Sequence, residues 1–127
     1  MTPEAAQFLA KAQKLLGEDG ATLELGLYDA AGRTAYLAAF HAAQALISER
    51  LGRTVKTHKG VHVEFLRLTR DEPGIPTDLR VFLSRAYNLK ALADYEAGPG
   101  AEVSEDQAKD AVAQAKRFVA HLGLLLA

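Results

Sequence analysis

The stretch Gly32–Leu46 reads GRTAYLAAFHAAQAL. Tyr36, Phe40, Ala43 and Ile47 repeat at i, i+4, i+7 and i+11, the spacing of one helix face. Alanine fills the other positions, which suits helices packed closely on several sides. One arginine, Arg33, opens a run that stays uncharged to Ser48. A guanidinium there needs a carboxylate partner or a surface groove. This helix is expected to extend from about Ala21 to Leu51, with a break or kink near Asp29–Gly32.

Further helices stand on both sides of it. Upstream, Thr2 and Pro3 form a start signal, a hydroxyl cap followed by a first-turn proline. Phe8, Ala12, Leu15 and Leu16 follow at helical spacing, and Gly17 and Gly20 predict the end of that helix. Downstream, GRTVKTH (52–58) is a polar connector, and a shorter helix is expected from about Lys59 to Thr69. Pro73, Gly74 and Pro76 mark a loop. A fourth helix follows from about Thr77 to Glu96, closed by Gly98, Pro99 and Gly100. Ser104 with Gln107 makes a capping box for a fifth. No alternating β-branched run argues for a strand. The expected fold is therefore all-α, an antiparallel up-down bundle of about five helices in a single domain, 1–127.

Composition narrows the chemistry. The chain of 127 residues has 15 Lys or Arg, 16 Asp or Glu and no cysteine. Thiol nucleophiles, disulfides and thiolate zinc sites are excluded. No run approaches the ~20 apolar residues of a membrane span, and the N-terminus lacks a basic-then-apolar leader pattern. A cytoplasmic protein is expected, without membrane contact. The near-zero net charge conceals two unlike segments. Residues 49–70 hold Arg50, Arg53, Lys56, Lys59, Arg67 and Arg70 against Glu49 and Glu64, a net of +4. Residues 94–110 hold Asp94, Glu96, Glu102, Glu105, Asp106 and Asp110 against Lys109, a net of −5. Two solvated faces account for such runs, and so does a basic surface for a phosphate-bearing ligand.

Three segments carry candidate chemistry. In the first, Arg33, Tyr36 and Phe40 share a side of the helix and His41 flanks it. In the second, KTHKGVH (56–62), His58 and His62 stand four apart. That spacing suits a metal pair, but no third ligand follows at a fixed offset, so no metal or other cofactor is expected. Thr57–Gly60 at a helix start also suits anion binding, since free N–H groups and basic side chains meet there. In the third, RAYNLKALADYE (85–96), Tyr87, Lys90 and Asp94 share a face. Asp94 is a candidate partner for Arg33 across the bundle.

Taken in order, these segments resemble the HEPN (higher eukaryotes and prokaryotes nucleotide-binding) domain family, in its small stand-alone prokaryotic branch. The matching residues are Arg33, Tyr36, Phe40, His41 and Ala42; then Thr57, His58, Lys59, Gly60 and Val61; then Leu89, Lys90, Ala93, Asp94 and Tyr95. The resemblance implies an antiparallel helical bundle, a homodimer, and work on RNA or nucleotides. It also implies either a metal-independent ribonuclease with an Arg-x4–6-His pair on the fourth helix, or the partner of a minimal nucleotidyltransferase in a toxin–antitoxin or defence module. In this sequence the arginine position falls on Lys90, and no histidine follows within six residues. The expectation is thus a binding protein without that pair. Its nucleotide or phosphate surface would comprise Arg33, His58, Lys59, Lys90, Asp94 and Tyr95. The alternatives are a divergent metal-independent endoribonuclease toxin, with His41 or His58 as the catalytic histidine, and a purely structural dimer.

Overall fold

The computed structural model describes all residues from Met1 to Ala127. Five helices form: α1 (Pro3–Glu24), α2 (Tyr28–Leu51), α3 (His58–Thr69), α4 (Thr77–Tyr95) and α5 (Glu105–Leu126). There is no strand.

The caps form as their residues dictate. Thr2 accepts from the Ala5 N–H at 3.2 Å, with Pro3 in the first turn. Ser104 and Gln107 make the reciprocal capping box of α5. The expected boundary between the first two helices is wrong, however. α1 continues through Gly17 and Gly20, and α2 begins at Tyr28 rather than Ala21. A glycine inside a helix costs only ~1 kcal/mol, which the packing of a long helix overcomes. The turn falls instead at Gly26, whose φ of +75° a side chain disfavours. Gly32 does not kink α2. It lets α4 approach, because a Cβ there would lie 3.2 Å from Leu89 Cδ2.

α2 is the centre of the bundle. Ala31, Ala35, Tyr36, Ala38, Ala39, Ala42, Ala43, Ala45 and Ile47 are all fully buried. Fourteen of its 24 residues are buried, far more than one face of a helix holds. α1, α4 and α5 surround it, and Phe65, Phe82 and Phe118 join α3, α4 and α5 in the same core. Polar ties set the directions. Thr2 N–H donates to Glu49 at 2.7 Å, which makes α1 antiparallel to α2. Arg33 meets Asp94, which does the same for α4, and Arg117 meets Asp78, which sets α5 against α4. The four long helices thus alternate in direction. Short α3 lies beside α2 and α4, with Arg80 of α4 reaching the Leu66 carbonyl and the Thr69 hydroxyl.

Candidate functional site

The start of α3 is built by Thr57. Its hydroxyl accepts from Gly60 N–H at 3.0 Å, an N-cap with extended backbone at the cap residue. Gly60 is required by this geometry. A Cβ there would lie 2.6 Å from Thr57 Oγ1 and 2.8 Å from Val55 Cγ1. Gly60→Ala is therefore expected to expel the cap and loosen the first turn. Losing an N-cap costs ~1 kcal/mol. Faster amide exchange at Val61 and His62, with the rest of the bundle unchanged, is the result to seek by NMR.

The cap delivers His58 and His62 to a shared target. Tyr36, fully buried on α2, extends its hydroxyl between them. The oxygen lies 2.6 Å from His58 Nδ1 and 3.1 Å from His62 Nε2. A phenol has one proton, so it donates to one ring and accepts from the other. Burial, with Tyr87 nearby, pushes the Tyr36 pKa well above the ordinary phenol value, so the proton stays on oxygen. Burial also lowers His62, and His58 beside it adds to the effect. Tyr87 of α4 covers the group, with ring centroids 5.4–5.6 Å from those of Tyr36, His58 and His62. Phe40 closes the other side of His58 at 4.9 Å. His58 itself is exposed, its Nε2 makes no bond within the chain, and neighbouring Lys59 is exposed and unpaired. With His62, Val63 and Tyr87 they line a shallow cavity of about 260 Å³. No third histidine, cysteine or carboxylate joins the two histidines.

One helical turn beyond Tyr87 stands a charge cluster. Arg33 Nε meets Asp94 Oδ1 at 2.6 Å, and Lys90 Nζ meets Oδ2 at 2.7 Å. The anticipated Arg33–Asp94 pair is present, and it is not sealed, since 39% of the arginine side chain is exposed. The Lys90 bond, then the Arg33 bond, hold the Asp94 carboxyl below its usual range. The Asp94 bond holds Lys90 above its own. Two cations share one carboxylate, so the cluster keeps one positive charge. The exposed Tyr95 ring lies under Lys90, 5.3 Å from the ammonium.

The structure brings Arg33, Lys90, Asp94 and Tyr95 together, and His58 with Lys59. Tyr87 belongs to the histidine group and stands one turn before Lys90 on α4. His41 stands apart. Its Nδ1 is 2.7 Å from Gln44 Oε1, its ring stacks on Phe8, and burial lowers its pKa. Gln44 in turn donates to the Val55 carbonyl. His41 therefore orients Gln44, which ties the 52–57 connector to α2, and its ring nitrogen is satisfied within the half-buried site. Tyr36 and His62 lie in the candidate segments but not on the expected nucleotide or phosphate surface. The available signal was a phenol on an apolar stripe, which needs a polar partner when buried.

The four long helices form an antiparallel bundle, with the tyrosine–histidine cluster at the start of the short α3. Residues 5–124 match the HEPN domain family. The chain belongs to that family. It is 39% identical over 111 residues to the UPF0332 protein of Archaeoglobus fulgidus, covering 87% of this chain and 86% of the relative. The crystal structure of TT1696 from Thermus thermophilus shares the fold, with a TM-score of 0.79 over 96% of this chain and 98% of that one, at 24% identity. No helix here is long and apolar enough to cross a membrane.

Proposed function

We propose that this HEPN protein binds a nucleotide or RNA along the seam of α2, α3 and α4. Membership of a nucleotide-related helical family supports the class of ligand. The observation that carries the reading is the cavity where unpaired Lys59, the free edge of His58 and the ring of Tyr87 meet. Lysine and the residual charge of the Arg33–Asp94–Lys90 cluster would face phosphates, and Tyr87 or Tyr95 would stack on a base. The fourth helix lacks the Arg-x4–6-His pair, so the expected role is binding, as a homodimer and as the partner of a nucleotidyltransferase in a toxin–antitoxin or defence module.

Fluorescence anisotropy with a labelled single-stranded RNA, at two salt concentrations, tests this. Lys59→Glu is expected to raise Kd at least ~10-fold and flatten the salt slope by about one. An unchanged Kd would remove the cavity from consideration. One observation favours a second reading. Tyr36 fixes His58 through Nδ1 and leaves Nε2 without a partner in the chain, the layout of a histidine oriented for proton transfer. RNA cleavage in EDTA that disappears in His58→Ala would favour a ribonuclease over a binding protein.

A further inference from the structure

Asp19 is an anomaly on α1. The inward positions of that helix are Ala5, Leu9, Ala12 and Asp19, so a carboxylate occupies a core position. It is fully buried, and neither oxygen has a hydrogen-bond partner. An ionised carboxylate without partners is too costly to bury, whereas a neutral one loses only hydrogen bonds.

The helix around it is weak. Gly17 and Gly20 flank it, and a Cβ at either would meet nothing within 4 Å. Neither glycine is there for packing, and each lowers helix stability by ~1 kcal/mol relative to alanine. Beyond them, Leu25 is exposed, and Leu23 packs only on the small cluster of Ala31, Val103, Ala108 and Val112.

We propose that the last two turns of α1, Gly17–Glu24, form a pH-governed latch, docked on α2 and α5 while Asp19 is neutral and released as it ionises. The charged groups around it do not prevent this. On α5, Lys116 draws the carboxyl toward ionisation but is exposed and forms no ion pair with it. On α2, Asp29 accepts from Val103 N–H, Arg33 is held by Asp94, and His41 by Gln44. On α1 itself, Lys14, Glu18 and Glu24 are exposed. Burial dominates and raises the Asp19 pKa from 3.8 to about 7, with Lys116 opposing. The docked form therefore holds its proton up to near neutrality, while the released form loses it near pH 4. Docking weakens as pH rises between those values and levels off above about 7.

Hydrogen exchange at pH 5.5 and 8.0, corrected for intrinsic rates, tests the latch. Between these pH values, opening of residues 17–24 is expected to increase about thirtyfold, the change such a pKa difference produces. Amides in the middle of α2 are expected not to follow. Asp19→Asn cannot ionise, and Asp19→Ala lacks the carboxyl altogether. In either variant the pH response should fall to within about twofold. A wild-type segment with no pH response, or variants that keep the full response, would overturn the proposal.

Discussion

Tyr36→Ala is expected to be among the most damaging single changes in the chain. The ring is fully buried and touches Phe40, Tyr87 and both histidines. Aromatic-to-alanine changes in cores cost ~3–5 kcal/mol. For a domain of this size, that corresponds to a fall in Tm of roughly 10–20 °C. Tyr36→Phe separates the ring from the hydroxyl. It should cost only ~0.5–1.5 kcal/mol, the usual net value of a lost hydrogen bond. It should also free the His58 ring. Nitrogen-15 shifts would then change from one fixed tautomer to a mixture, while the fold persists. A full loss of stability in Tyr36→Phe would mean that the hydroxyl, not the ring, holds α3 in place.

The second large effect is expected at Phe118. This ring is 1% exposed, and it packs at a tilt, with centroids 5.2 Å from Phe65 of α3 and 5.9 Å from Phe82 of α4. It is the point where three helices meet beneath the α3 face. Phe118→Ala should cost ~3–5 kcal/mol by urea or thermal unfolding, through lost burial and the cavity left behind. Phe118→Leu should recover most of that, because much of the volume remains. A cost below ~1 kcal/mol for alanine would mean that α3 and α4 collapse into the space, contrary to close packing.

Much of the bundle was legible because its signals are local. Thr2–Pro3 and Ser104–Gln107 are caps written within four residues. The apolar stripe of Tyr36, Phe40, Ala43 and Ile47 declares its face without help from other helices. Gly17 and Gly20 misled for the same reason. A helical glycine and a terminating one look alike until the neighbours are known. Leucines on either side of Gly26 gave no turn signal, although the chain reverses there. The Arg33–Asp94 pair could be anticipated, since a charge entering an apolar run must find its opposite. The Tyr36–His58–His62 group could not, because the two parts are 22 and 26 residues apart and meet only through the crossing of α3 on α2. Asp19 was invisible as well. Its neighbours in sequence, Glu18 and Gly20, make it look like one more solvated acid.

The alanine-lined α2 has a consequence for where new chemistry can arise. A helix enclosed by α1, α4 and α5 has almost no free face, so a residue gained there must replace packing. α3, with 12 residues, is the shortest helix and covers α2 least completely. Beneath it, a polar tip from the centre of the bundle can touch groups that meet solvent. Tyr36 is therefore a conduit: a change made at the exposed rim of His58 reaches the axle of the molecule through the phenol oxygen, alongside the ring contact to Phe40.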